Sequence, residues 1–283
     1  MFPCEAEVLQ QCPQQAVSRR MIHREKGFTV HFRLDKANEL LWVEDYEIAA
    51  KESFYAFLWN LAREQQLGKI IFPVRPYDLY FLKNDQFIAE GYLDGYFAGV
   101  PGYIMAGYRQ PARVLSASLA EEQRILNGIL TSPRACSQTL PAGIRIETAT
   151  ENKTAVSSRD PGNDPARIVS SVKKGDLCLV ARQGEKIAGA VTAERNLKYR
   201  RVKITGFSVL PAYRQSNLIN ILFRTLAEKC RSLGIKCIYS LTRASSGQLN
   251  RTLHNAGFLF RGTLINHWAA GGRFENLHLW LLP

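Results

Sequence analysis

Phe207-Ser-Val-Leu-Pro-Ala-Tyr-Arg-Gln-Ser-Asn-Leu-Ile219 is the stretch on which the reading of this chain turns. The apolar run up to Leu210 describes a buried strand, and Pro211 ends it, because proline fixes φ and has no N–H for a sheet ladder. The turn at Arg214 then enters a helix over 220–232, in which Ile221, Leu222, Leu226 and Cys230 share one face and Gly234 follows as the stop. A helix start offers unpaired N–H groups and the positive end of a dipole, and Arg214 adds a permanent charge able to make forked contacts. Such a turn suits a pyrophosphate. A plain strand-to-helix loop with a surface arginine is the competing reading.

The pattern on either side is mixed α and β. Upstream, strand alternation at 144–148 is followed by a polar stretch at 152–164 broken by Pro161 and Gly162, a short helix over 166–172, and a hairpin of 176–182 and 186–193 around Gln183-Gly184. Strand 203–210 leads into the quoted turn. Downstream come a strand over 235–241, a helix over 246–255 and two long strands, 258–268 and 274–282. Nearer the start, 27–34 and 39–43 read as strands, 48–66 as a helix stopped by Gly68, 69–74 as a buried strand, 76–85 as a short helix, and 86–109 as Gly- and Tyr-rich strands turning near Pro101-Gly102. The division expected is a loose arm over 1–20, one unit over 21–112, a connection over 113–141 with one helix at 119–130, and a second unit over 142–283.

Length fits two domains: 283 residues, against the usual one to two hundred for one. With 46% hydrophobic and 22% charged residues, a disordered or collagenous chain is excluded. The net charge of +12 is lopsided, since residues 1–142 carry 15 Lys/Arg and 16 Asp/Glu, whereas 143–283 carry 22 and 9. The second half meets the anion, which by charge alone can be nucleic acid, a membrane surface or a polyphosphate. No run approaches the roughly 18 apolar residues of a membrane helix, and the start lacks a basic segment followed by an apolar one, so a cytoplasmic location is expected. The six cysteines are scattered, with no metal-ligand spacing, and read as free thiols; no metal is expected.

A repeat is visible across the halves. Leu67-Gly68, Arg75 and Glu90-Gly91-Tyr92 parallel Leu233-Gly234, Arg243 and Ala256-Gly257-Phe258, and two related folding units follow from that spacing.

The hairpin at 177–193, Ser208-Val209-Leu210-Pro211, Tyr213-Arg214, the long helix and Gly257-Phe258 together resemble the GNAT family of acetyl-CoA-dependent N-acetyltransferases. Tyr239, Arg243-Ala244, Ser246, Asn250, Thr252, Gly262-Thr263-Leu264-Ile265-Asn266, Gly271-Gly272 and 275–280 look like its β-lysine N-acetyltransferase branch. The first half resembles that branch's leading domain, a degenerate unit of the same kind. The resemblance implies an α/β (α+β) fold of two tandem GNAT-like units, each a mixed, mostly antiparallel sheet flanked by helices. It implies acetyl transfer from acetyl-CoA to a small primary amine, the side-chain amine of β-lysine first and another small amine second. A non-catalytic module that binds CoA or a partner is the rival of a different class, and a homodimer is compatible with either.

The expected cofactor residues are Phe207, Ser208, Val209, Arg214, Gln215, Ser216, Asn217, Leu218, Ile219 and Asn250. Asn217 and Ile219 stand where the family places glycines; asparagine tolerates a left-handed backbone, whereas a β-branched residue crowds the approach of pyrophosphate. Glu194 is the candidate base, its alternative a solvated glutamate beside Arg195. Tyr239 is either a donor to the departing thiolate or a core ring, and Asn250 either a pantetheine ligand or a helix cap. Gly206 and Leu253 depart from the family's acidic and tyrosine positions. The run Lys198-Tyr-Arg-Arg-Val-Lys203 reads as a solvated hairpin rim or a strip for a nucleic-acid backbone, the rim being preferred.

Overall fold

The computed structural model describes residues 20–83, 85–134, 140–149 and 164–283. In chain order the elements are β1 (Arg20–Glu25), β2 (Phe28–Asp35), β3 (Leu40–Ile48), α1 (Lys51–Glu64), β4 (Lys69–Val74), β5 (Phe87–Gly95), β6 (Gly99–Tyr108) and α2 (Leu119–Leu130). There follow β7 (Ile144–Thr148), α3 (Pro165–Ser170), β8 (Leu177–Gln183), β9 (Lys186–Asn196), β10 (Arg201–Val209), α4 (Leu218–Ser232), β11 (Cys237–Arg243), α5 (Gly247–Asn255), β12 (Leu259–Ala270) and β13 (Arg273–Leu282). Residues 1–19 of the expected arm, three of the cysteines and nearly all of the polar stretch at 152–164 lie outside the described residues, whereas Arg20, expected at the end of the arm, opens β1.

The strands form one sheet in the order β1-β2-β3-β4-β6-β5-β12-β13-β11-β10-β9-β8-β7. Each half is the same motif: an antiparallel meander, a crossover helix (α1 or α4), a strand parallel to the one before it, and a final pair inserted with its order reversed. This is the mixed α+β architecture of two tandem units. The likeness extends to defects, since β3 carries an extra residue at Glu44 against β2 and β10 carries one at Thr205 against β9.

The halves meet where β5 touches β12, through the single antiparallel pair Gly91 and Gly262. A Cβ on Gly262 would fall 2.1 Å from the Glu90 carbonyl oxygen, and one on Gly91 would fall 2.7 Å from Leu279. Only glycine lets the backbones approach so closely. The repeat therefore pairs Gly91 with Gly262 rather than with Gly257, which lies in the turn before β12; a fixed spacing in sequence misses this because Gly68 to Gly91 spans 23 residues and Gly234 to Gly262 spans 28.

Two layers of core follow from strand alternation. Val191, Ala193, Val202, Ile204, Phe207 and Val209 face α4 and join Leu222, Phe223 and Leu226 in one cluster. On the other face Cys237, Tyr239, Leu241 and Leu279 pack against Trp42, Ile71, Tyr96 and Ile104 of the first half. The sheet thus folds together the faces turned away from α1 and α4.

Two expectations are corrected, one strand was not foreseen, and one helix packs beyond its connection. Strand β1 had no expectation, because RMIHRE carries little apolar alternation. The turn between β5 and β6 lies at 96–98, not at Pro101-Gly102, which sit inside β6; a Cβ on Gly102 would crowd the Tyr96 ring, so its glycine serves packing. Among the described residues of the 76–85 segment, only Pro76–Asp78 forms a single helical turn. Helix α2, expected within a connection, sends Leu126 into the core of the second half, and its buried Glu122 accepts from Asn276 Nδ2 at 2.5 Å.

The basic run is a hairpin rim only in part: Lys198 and Arg200 are exposed in the β9–β10 turn, whereas Tyr199 and Arg201 are buried. Lys198 pairs with Asp45 of the first half, and Arg201, buried, stacks 3.8 Å over the Tyr96 ring and donates to its carbonyl. Despite its burial, Asp45 is held down to about 2 by Lys198, Tyr199 and Arg75. These cations tie the halves together. A second tie lies at the β5–β12 crossing, where buried Lys69 donates to both Glu90 oxygens at 2.9 and 2.7 Å and to the Ile265 carbonyl. Among the described residues no helix is long and apolar enough to cross a membrane.

Candidate active site

Strands β10 and β11 run parallel and paired from Arg201 and Cys237 to Ile204 and Ser240, and there the pairing stops. Beyond it β10 stays on β9 while β11 stays on β13, so the two strands part into a V in the middle of the second half's strands. The bulge at Thr205 lies at the opening. It shifts the alternation by one residue, which keeps Phe207 and Val209 in the α4 core. The side chains of Phe207, Val209 and Leu218 are thereby committed to that core, and only their backbone groups are left to face a ligand.

At the end of β10 a single helical turn, Pro211–Tyr213, and Arg214 carry the chain to Asn217, the N-cap of α4, at φ 59°. The left-handed backbone expected of Asn217 is present. Ser216 folds back, its hydroxyl donating to the Tyr213 carbonyl at 2.7 Å, and the Tyr213 hydroxyl donates to Gln183 at the β8–β9 turn. Arg214 and Gln215 are exposed. Ile219, half-buried, packs against the α4 core cluster. The turn thus joins an exposed permanent cation to a helix start whose first N–H groups have no carbonyl behind them.

Asn250 is turned into the protein. It is fully buried, its Oδ1 accepts from Thr242 at 2.8 Å, Trp280 at 2.9 Å and His278 at 3.1 Å, and its Nδ2 donates to the carbonyls of Arg243 and Ser246. With every polar position bonded inside the protein, it clasps α5 to β11 and β13 rather than presenting itself to a ligand. The cap of α5 is Ser246, which accepts from Leu249 N.

Glu194 and Tyr239 come together. Both lie opposite Lys203, one on each side of β10, so all three project from the face turned away from α4. They line one cleft with Arg33, Trp42 and Glu44 of the first half. Arg20 bridges it, with Nη2 3.2 Å from Glu194 and Nε 3.2 Å from Glu44. Burial pushes the Tyr239 phenol well above its ordinary value, so it remains a hydroxyl donor. A second cleft shares Arg33, Trp42 and Lys203 and adds His267, which burial drives well below its ordinary value. On the same face Gly206 lies beneath α3, where a Cβ would stand 3.2 Å from Thr192 Oγ1 and 3.4 Å from Ile168.

Cleft residues from the first half escaped the sequence reading. Glu44 and Arg33 are far from the quoted turn, and only the doubled bulge hints that Glu44 stands in its half where Thr205 stands in the other. Burial pushes the three described cysteines up, Cys178 and Cys230 to about 11 and Cys237 to about 12, which keeps their thiols protonated.

Residues 147–258 match the model of the acetyltransferase (GNAT) family, so the second half contains a GNAT acetyltransferase domain. Among curated relatives, N-acetyltransferase YodP of Bacillus subtilis is 27% identical over 91% of this chain and 97% of its own length. Beta-lysine N(6)-acetyltransferases of Methanococcus maripaludis and Methanosarcina mazei are 22% and 23% identical, over 78% and 81% of this chain and 84% and 96% of their own.

Proposed function

We propose, from the premise that this chain is an acetyl-CoA-dependent N-acetyltransferase of the GNAT type, that its acceptor is the side-chain amine of β-lysine or a close diamino acid. The observation that carries the reading is the V between β10 and β11 beside the Asn217 turn, with Glu194 and Tyr239 on the far face. The names of two relatives support β-lysine in particular. We take 21–112 as a degenerate unit and 142–283 as the catalytic one, joined through α2.

Bound acetyl-CoA supplies a thioester carbon open to attack and a thiolate able to leave. In this reading Arg214 and the first N–H groups of α4, reached through Gln215, Ser216, Asn217, Leu218 and Ile219, hold its diphosphate. The backbone of Phe207, Ser208 and Val209 lines the arm, with N–H groups available to stabilise an oxyanion. Glu194, directly or through water, takes a proton from the acceptor ammonium, and the freed nitrogen pair forms the new C–N bond. The C–S bond breaks as the oxyanion collapses, and the second nitrogen proton passes to the thiolate, with the Tyr239 hydroxyl donating a hydrogen bond to that sulfur. The products are the N-acetyl amino acid, CoA thiol and one proton left on Glu194.

The test is thiol release from acetyl-CoA with β-lysine, lysine and simple diamines. Release with β-lysine preferred is the expected result. No release with any amine, while acetyl-CoA still raises the melting temperature, would replace catalysis with mere cofactor binding.

A further inference from the structure

The first half has no phosphate-binding turn: β3 passes into α1 through Ala49 and Ala50, and Glu52 lies in the first helical turn, where a phosphate would be repelled. Its own β3–β4 opening is filled by Arg75, which stacks 4.5 Å over Tyr46 and 4.4 Å over Phe97. Yet the same β3 presents Trp42 and Glu44 to the catalytic face of the second half.

The clefts there are ordered by charge. Glu44, 13% exposed, and Glu194 come from different halves and share one cation, the Arg20 guanidinium. Arg20 is itself 60% exposed, so little beyond these two contacts holds it. Arg33, only 10% exposed, sits 3.5 Å from Glu44 and above Trp42, at the wall common to both clefts. Two buried polar atoms of the walls have no hydrogen-bond partner among the described residues, the Tyr96 hydroxyl in the first cleft and His267 Nδ1 in the second. Buried orphan groups are costly and mark a place for polar ligand atoms.

We propose that the first half reads the acceptor. A small amino acid with an ammonium at one end and a carboxylate at the other lies across the two clefts, its reacting ammonium between Glu44 and Glu194 in the position Arg20 now fills, its carboxylate on Arg33 and its methylene chain against Trp42. Arg20 is a displaceable stand-in for the substrate cation. The proposal rests on the acetyltransferase reading and makes the first half a specificity element of it.

Steady-state kinetics on the full chain with lysine, β-lysine and cadaverine, a diamine lacking the carboxylate, tests it. Arg33→Gln raises KM for the amino acids about tenfold or more and leaves cadaverine within twofold, as loss of one charged hydrogen-bonded contact requires. Glu44→Gln raises KM for all three. Arg20→Ala lowers KM for all three, an effect that damage to the fold does not produce, while an unchanged KM for acetyl-CoA shows that each variant is folded. Equal losses for cadaverine and the amino acids in Arg33→Gln, or a raised KM in Arg20→Ala, overturn the proposal. Calorimetric binding of β-lysine, which needs no turnover, separates the two claims: binding that depends on Arg33 without acetyl transfer defeats catalysis alone, and binding indifferent to Arg33 defeats this cleft.

Discussion

At the scale of single residues, burial decides what each titratable group can do. His278 sits between β11 and β12 with its Nδ1 3.1 Å from the Asn250 oxygen, and desolvation lowers it to about 4. An unfolded histidine protonates near its ordinary value of 6.5, whereas the folded one resists until about 4. Between these values the unfolded chain binds the extra proton, so the contribution is intact above 6.5 and is lost as pH falls toward 4. The size is on the order of 3 kcal/mol. Urea unfolding at pH 7 and pH 4.5 checks this: the loss on acidification is expected to be smaller in His278→Gln than in the parent, and equal losses would contradict it. Asn250 illustrates what residue chemistry leaves open in a sequence. A polar residue near a predicted cofactor site is as readily a ligand as a structural clasp, and only the positions of Thr242, His278 and Trp280 decide between them.

At the scale of elements, alternation and stop residues were legible and crossings were not. Strand β4, helix α2 and strand β7 occupy the expected residues, because apolar period and flanking Gly or Pro specify them locally. The V was foreseeable in part, since Pro211 ends β10, but the bulge at Thr205 that re-aims Phe207 depends on a partner strand. The missed turn near 96–98 and the role of Gly102 have the same cause, a long-range contact written in no short window. Gly262 is the sharpest case. Its φ of 147° suits glycine, and the Glu90 carbonyl leaves no room for a methyl group. Gly262→Ala is expected to cost about 3 kcal/mol or more. Gly128, inside α2 with open space around it, is the control: Gly128→Ala gains roughly 0.5 to 1 kcal/mol. Denaturant midpoints compare the two, and a Gly262→Ala protein as stable as the parent would mean that the crossing is looser than described.

At the scale of the whole molecule, duplication supplied two copies of one motif with different uses. The second half keeps the open V and the cationic turn; the first closes its V with Arg75, Tyr46 and Phe97 and turns its charged strand toward its neighbour. The charge asymmetry of the sequence reflects this division, with the excess of cations in the half that meets the anion, although several of them, Lys198 and Arg201 among them, hold the halves together instead. Composition could not reveal that distinction, because it depends on which cations face Asp45 and Tyr96. The central claim is that the Asn217 turn grips the diphosphate of acetyl-CoA. Isothermal titration of the full chain with acetyl-CoA, in parallel with Arg214→Ala, tests it most directly. The account predicts saturable binding to the parent and an affinity about tenfold weaker in the variant, as expected for one lost charged contact to phosphate; binding of equal strength in both, or none in either, would contradict it.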